Sequence, residues 1–410
     1  MSKRLFVIIP DRLDDLVKKG EITERYYNPG NLFDEILLVK TIDDTVETAM
    51  VQKMVGKARL RMVNLPMPTF KQSLGFQPWL LENWVNQGIE LARDFKPDLI
   101  RAHSNFSAGY LASKIKLALK VPLIVSLHTQ PDVDLRKYTH WWPTWENRLV
   151  YERYKVFENL TNHTADWMLP VYDAGLEYCK KHGVKRAIIC YNALNPTSLT
   201  PKTNYQIHSP VRILCVNRMI PWKNPDMIIK AMKLVPNAEL TIVGSGELTE
   251  YEKSIAAETG VASRVHFIPS IPNDELCQMY HNFDIYTSHI EWWGIGKSTI
   301  ESFLSGLPVV LNLREGGEQP VEYTPNIVRM VPNTPESFAS AFNNLIENAS
   351  ERENLGRTAR QVAEEKWSPR KAEAHFVEIY HQALVEAYNI NINDWQPDYR
   401  SLAEINGDVQ

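Results

Sequence analysis

Gly294-Ile-Gly-Lys-Ser-Thr-Ile-Glu301 reads as a glycine-bearing loop that runs into a helix carrying one carboxylate about a turn inside it. Its partner lies earlier, in Ile213-Leu-Cys-Val-Asn-Arg-Met-Ile-Pro-Trp-Lys-Asn-Pro225, where an apolar strand breaks into a turn with Arg218 and Lys223 five positions apart. Buried strand, polar turn, glycine loop and helix are the working parts of a parallel α/β sheet, whose ligands sit beyond the carboxyl ends of its strands. Together the two stretches describe a pocket for a nucleotide diphosphate. The cations would neutralise the diphosphate, the glycines would let the backbone N–H groups of Lys297 and Ser298 approach it, and Glu301 could accept from ribose hydroxyls.

Outward from these stretches the same rhythm continues. Apolar runs at 212–216, 239–243, 265–268, 284–287, 308–311 and 327–330 have the length and composition of buried strands, with helical patterns between them. The first half shows such runs at 5–9, 35–39, 97–100 and 123–127, with a short one at 187–190 and helices at 78–94, 108–119 and 145–164. Residues 192–210 are polar, contain three prolines and lack periodicity, which marks a linker. The expected organisation is a Rossmann-like first domain over 1–195, a second over 196–385, and a tail over 386–410. The Trp395-Gln-Pro-Asp-Tyr399 segment is too aromatic for a free end, so the tail is expected to return to the first domain. Strand–helix alternation predicts right-handed crossovers and a doubly wound parallel sheet in each half, with a ligand-binding cleft between them.

A chain of 410 residues, 44% hydrophobic and 23% charged, fits two or three globular domains. Its four cysteines are widely spaced and mostly beside apolar runs, which excludes a zinc or disulfide framework and points to a reducing, cytoplasmic compartment. No run approaches the ~20 apolar residues of a membrane span. Charge is uneven: residues 1–200 hold 27 Lys+Arg against 22 Asp+Glu, and the remainder 18 against 27. The basic side, with Lys53, Lys57, Arg59, Arg61, Lys114, Lys116 and Lys120, reads as a solvated face, or as a surface for peripheral contact with anionic membrane or glycolipid. Nucleic acid is a poor partner for a chain with net charge −4.

The ordered run from Val216-Asn-Arg218 through Trp222-Lys-Asn-Pro225, Ile242-Val-Gly-Ser-Gly-Glu247, Val265-His-Phe-Ile-Pro269, the 294–301 loop, Ser305-Gly-Leu-Pro-Val309, Gly316-Gly317 and Trp367-Ser368 resembles the retaining GT-B glycosyltransferases of family 4. In the first half, Pro97-Asp-Leu-Ile-Arg-Ala-His103 and Ile124-Val-Ser-Leu-His-Thr129 are similar to that family's histidine-bearing strand ends. The resemblance implies two Rossmann-like domains facing across a cleft and hexosyl transfer from a UDP- or GDP-sugar to a hydroxyl acceptor, with retention. It also implies no metal and no cofactor besides the donor. Carried over, His128, Arg218, Lys223 and Glu301 are the catalytic set. Asn217, Gly244, Gly246, Ile268, Glu291, Gly294, Ile295, Gly296, Lys297 and Ser298 line the donor, while Gly30, His103, Trp141 and Trp142 face the acceptor.

Two departures stand out. The family's upstream glutamate would fall on Trp293; the nearest is Glu291, displaced by two. The first strand ends in Pro10-Asp-Arg-Leu-Asp14 without the family's glycine pair, and Asn28-Pro-Gly-Asn31 follows only after a polar insertion. Gly296-Lys297-Ser298 imitates a P-loop but lacks its first glycine, Asp132-Val-Asp134 imitates a metal-binding pair of the other glycosyltransferase fold, and Gly244-Ser-Gly246 is a dinucleotide fingerprint with Thr249 where the third glycine belongs. Competing readings are a sugar-nucleotide epimerase or phosphorylase on the same fold, or a silent nucleotide-sugar-binding subunit.

Overall fold

The structure is a computed structural model that describes residues 2–69, 78–136, 138, 144–192, 199–290, 294–314 and 319–400. Contacts divide the chain into two units. The first contains Met1–Lys18, Ile22–Ala193 and Arg370–Gln410; the second contains Lys19–Glu21 and Leu194–Pro369. The final segment that belongs with the first unit thus begins at Arg370, earlier than the residue 386 read from the sequence.

Unit 1 is built on six parallel strands: β1 (Arg4–Ile9), β2 (Glu35–Lys40), β3 (Arg59–Asn64), β4 (Leu99–His103), β5 (Leu123–Leu127) and β6 (Trp167–Pro170). Their order is β3-β2-β1-β4-β5-β6. Residues of β1 pair on both sides, Leu5 with Ile36 and with Leu99. Alternate residues feed opposite faces: Leu5, Val7 and Ile9 enter one buried cluster, Phe6 and Ile8 another. That two-sided burial is why these strands read as unbroken apolar runs.

Two strands departed from the sequence reading. β3 has an exposed, alternating face, and its Arg59 and Arg61 are those assigned to a solvated surface; charges suit an edge strand because they discourage further pairing. The sixth strand, Trp167–Pro170, is absent from the sequence reading, and the segment expected as a strand at 187–190 runs beside it: Ala187 bridges Met168, and the Ile188 and Cys190 N–H groups donate to the Met168 and Pro170 carbonyls. A four-residue strand directly after a twenty-residue helix leaves little period to detect.

The helix Pro369–Tyr388 closes the first face of this sheet, with Phe376, Val377, Tyr380 and Leu384 in its core. Trp395 packs edge-on against Phe33, ring centroids 5.5 Å apart. Arg101 of β4 is 1% exposed; its guanidinium lies 4.6 Å from the Phe376 ring centroid and donates to the Tyr26 carbonyl.

Unit 2 repeats the plan with β7 (Val211–Val216), β8 (Ala238–Val243), β9 (Val265–Ile268), β10 (Ile285–Ser288), β11 (Val309–Asn312) and β12 (Arg329–Val331). The order is β12-β11-β10-β7-β8-β9, again all parallel. In each sheet the strand order reverses once, between β1 and β4 and between β7 and β10, and those two points are where open α/β sheets take ligands. All four cysteines are buried and unbridged. Among the described residues no helix is long and apolar enough to cross a membrane.

Candidate functional site

In unit 2 the residues beyond β7 form a loop, 217–224, that returns alongside β8 and β10. Gly244, at φ +145°, lets it come close: a Cβ there would stand 1.8 Å from the Asn217 carbonyl oxygen, and one at Gly246 would stand 2.2 Å from that of Met219. The glycines read from sequence as donor contacts therefore first serve to seat the loop. Met219 N–H donates to the Ser245 carbonyl (3.2 Å), and Leu248 N–H donates back to Met219 (3.0 Å). Asn217 is buried; in the amide orientation that satisfies its neighbours it donates to the Val216 carbonyl (2.9 Å) and to Ser288 Oγ, while its Oδ1 accepts from His289 N–H (3.2 Å).

This scaffold holds two cations. Arg218 is exposed and Lys223 half-buried, and neither forms an ion pair with a carboxylate among the described residues. Burial, and then the charge of Arg218, pull the Lys223 ammonium below its ordinary range. Two like charges with no counter-charge among the described residues destabilise each other, and an arriving anion relieves that.

Across the reversal point, Gly296 caps the helix Lys297–Leu304. A Cβ at Gly296 would meet Thr299 Oγ1 at 3.4 Å and Ser298 Oγ at 3.9 Å, so among the described residues no atom demands a glycine there. Lys297 and Ser298 open the helix, and their N–H groups have no intrahelical acceptor. Lys297 Nζ lies 3.3 Å from Glu21, and Ser298 Oγ accepts from Tyr286 (3.0 Å). Glu301 is 2% exposed and accepts from Asn273 Nδ2 (2.9 Å) and Tyr280 Oη (3.1 Å). Burial raises its carboxyl above the usual range, against Lys297 and those hydrogen bonds. At the end of β9 the Ile268 carbonyl accepts from Gly244 N–H (3.0 Å).

In unit 1 the reversal point opens into a pocket of about 410 Å³ lined by Pro10 and Asp11 after β1, His103 to Ser107 at and after β4, and His128 and Thr129 after β5, with Asp134, Tyr138 and Tyr154 beside them. The two imidazoles stack nearly parallel (15°), His128 Nε2 lying 3.1 Å from His103 Nδ1. Burial, with the charge of Arg101, holds both below the ordinary histidine range, His128 at about 4. Both are therefore uncharged at neutral pH.

Two family models match this chain: Glycosyl transferase 4-like domain over residues 41–194, and Glycosyl transferases group 1 over residues 202–362. The chain belongs to the family-4 type of GT-B glycosyltransferases. Among its relatives, the sulfoquinovosyl transferase of Arabidopsis thaliana is 24% identical over 353 residues, 81% of this chain and 64% of that protein. The GDP-mannose-dependent alpha-(1-6)-phosphatidylinositol monomannoside mannosyltransferase of Mycolicibacterium smegmatis is 27% identical over 179 residues, 41% of this chain and 47% of the other. The matched stretches thus span about half to two thirds of these relatives. The crystal structure of Anabaena HepE in complex with UDP superposes with a TM-score of 0.69 at 17% identity, covering 93% of this chain and all of that one. It bears out the GT-B fold.

Against that family frame, the residues expected to act divide by unit. Arg218, Lys223, Asn217, Gly244, Gly246, Ile268, Gly294, Ile295, Gly296, Lys297, Ser298 and Glu301 belong to unit 2, and His103 and His128 to unit 1. Gly30 is not among the residues lining the unit 1 pocket. At φ +60° it is buried, and a Cβ on it would press on Pro397 (2.7 Å) and Val377 (2.9 Å), so its glycine answers to core packing. Glu291, Trp141, Trp142, Trp293 and Gly316-Gly317 lie outside the described residues.

One group of metal-ligating type occurs among the described residues, Asp132, Glu158 and His182, with ligand atoms within 4.8 Å of one another. Lys181 pairs with Asp132 (2.6 Å) and Lys155 with Glu158, so these carboxylates already hold ammonium groups and tie three helices together. Asp132, half of the Asp-x-Asp imitation, is spent there. Sequence reading missed Asn273 and Tyr280 beside Glu301, Arg101 beneath the histidines, and His289. Of these, only Arg101 and His289 carried a local signal, a polar side chain within or just beyond a buried strand.

Proposed function

We propose that this protein transfers a hexose-type sugar from a UDP- or GDP-sugar to a hydroxyl acceptor, retains the anomeric configuration, and uses no metal. The observation that carries the reading is the Arg218–Lys223 pair, two cations on a pinned loop beyond β7 without a carboxylate partner among the described residues, with a glycine-capped helix start following the neighbouring strand β10. Cleaving the anomeric bond leaves negative charge on the departing diphosphate. Cations fixed in place stabilise that charge more than they stabilise the bound donor, which is the condition for raising kcat. The N–H groups of Lys297 and Ser298 add to the same field.

Glu301, held by Asn273 and Tyr280, has further lone pairs for ribose hydroxyls. In this reading the acceptor enters the unit 1 pocket beside neutral His128, and in a retaining reaction the leaving phosphate itself takes the acceptor proton during same-face attack. The relatives named as sulfoquinovosyl and mannosyl transferases support transfer chemistry, and the UDP complex of the HepE structure supports a nucleotide donor.

The test is incubation with UDP-hexoses and GDP-hexoses in the presence and absence of EDTA, following free nucleotide and the anomeric proton of the product by NMR. Slow donor hydrolysis unaffected by EDTA, with the donor's anomeric configuration in any product, supports the reading. Binding without release of nucleotide would instead make the protein a silent nucleotide-sugar-binding subunit.

A further inference from the structure

The two cations of the 217–224 loop act only if the loop stays put, and one residue beyond β10 touches both of its ends, by its backbone at one and its side chain at the other. We infer that His289 is the positioning residue for Lys223. Its backbone N–H is bound to Asn217 Oδ1 (3.2 Å) at the start of the loop, and its ring Nδ1 accepts the N–H of Asn224 (3.2 Å) at the end.

The second contact matters through the geometry of the peptide bond. The Asn224 N–H lies in the rigid plane shared with the Lys223 carbonyl, so fixing its direction fixes ψ of Lys223. The preceding plane is fixed as well, because Lys223 N–H donates to the Ile220 carbonyl (2.8 Å). With both planes held, the lysine stem leaves the backbone in one direction. The Asn224 side chain extends the arrangement by accepting from Asp226 N–H (2.9 Å), which starts the helix Asp226–Ala231.

The ring itself has little freedom. His289 is 4% exposed, and its Nε2 faces the side-chain amide of Asn333, whose Nδ2 lies at 3.4 Å; turning that amide brings its buried Oδ1, otherwise unpartnered among the described residues, round to accept from Nε2–H. An Nδ1 that accepts an amide proton carries none, so the proton sits on Nε2 and the imidazole is neutral. Burial supports this by holding the ring at about 4. A protonated ring would lose its acceptor and add a third positive charge beside Arg218 and Lys223. No such charge develops at neutral pH.

The consequence for ligand binding rests on the donor reading above, whereas the fastening of the loop does not. Two experiments separate them. Hydrogen exchange of the wild type, His289→Leu and His289→Asn measures the loop alone. The leucine variant should exchange residues 217–224 about tenfold faster or more, as expected for loss of one hydrogen bond, with the β7 and β10 amides unchanged. Asparagine, whose Oδ1 can stand where Nδ1 stood, should restore slow exchange. Unchanged exchange in His289→Leu overturns the inference. If that variant does not fold, His289→Gln keeps the polarity but places its amide at the Nε2 position, and it should loosen the loop likewise.

The second experiment is calorimetric titration with UDP, GDP, UMP and GMP. His289→Leu should weaken the bound diphosphate about tenfold and the corresponding monophosphate much less. In a Lys223→Met background the same substitution should cost nothing further, because the residue acts through that lysine. Equal losses for mono- and diphosphate, or additive losses in the double variant, overturn it. A wild type that binds neither UDP nor GDP defeats the donor reading, and loop exchange still decides the role of His289.

Discussion

The two sheets share one strand order, and both reverse it at the same place, yet their reversal points carry opposite chemistry. Beyond β7, at the reversal point it shares with β10, stand Arg218 and Lys223, charged and lacking a carboxylate partner among the described residues. Beyond β4 and β5 stand His103 and His128, stacked and neutral, above a buried arginine. The topology decides where a ligand can sit, and the side chains at the strand ends decide which kind. A donor that leaves as an anion suits the cationic point; a hydroxyl acceptor needs no counter-charge and suits the neutral one.

The sharpest way to break this contrast is Lys223→Ala. Turnover should fall by a factor on the order of 10² to 10³, the usual effect of removing one group that meets developing charge. Circular dichroism should be unchanged, and wild-type rates in a folded variant would remove the diphosphate assignment. Glu301→Ala should weaken nucleotide binding by about 1 to 3 kcal/mol as lost hydrogen bonds, read by calorimetry. His103→Gln, at the other reversal point, should alter acceptor KM or kcat while nucleotide affinity stays constant. Equal damage to nucleotide binding by His103→Gln and Glu301→Ala would collapse the distinction.

A pH profile sharpens it further. His128, at about 4, is already neutral at pH 6, so activity should show no step near the ordinary histidine value and should fall only as pH drops toward 4. The unfolded chain binds that proton near pH 6.5, so stability should also decline from pH 6.5 downward. Glu252 has the reverse sign. Both its oxygens are buried without a hydrogen-bond partner among the described residues, and burial raises its carboxyl to about 8. Its contribution is present below pH 4.5 and lost as pH rises through 8, so Glu252→Gln should gain about 2 kcal/mol in urea melts at pH 9 and nothing at pH 5. The smallest effect is ionic: raising salt should weaken UDP or GDP binding and leave the KM of an uncharged acceptor alone.

Much of the fold was legible because parallel strands buried on both faces must be apolar throughout, as in Leu5 to Ile9 and Val309 to Leu311. β3 escaped because an edge strand alternates, and its arginines looked like surface. The Arg218–Lys223 pair was legible because its meaning is local, a charged turn behind a strand. Glycines were harder, since a sequence does not say which neighbour requires them. Gly30 answers to Val377 and Pro397, more than 340 residues later, and Gly244 to the Asn217 carbonyl. The supports of Glu301 and the contacts of His289 are likewise long-range meetings of ordinary polar residues, and they become visible only once the sheet has brought the strand ends together.

The helix Pro369–Tyr388 has a consequence for biogenesis. On the ribosome the amino-terminal lobe is synthesised first, but the wall that shields Arg101 and supplies Phe376 and Tyr380 to its interior emerges only after the whole of the other lobe. Domains ordinarily fold in the order they leave the tunnel. Here the earlier lobe must wait, with an unsheltered guanidinium and an open greasy flank, until the later one has been made.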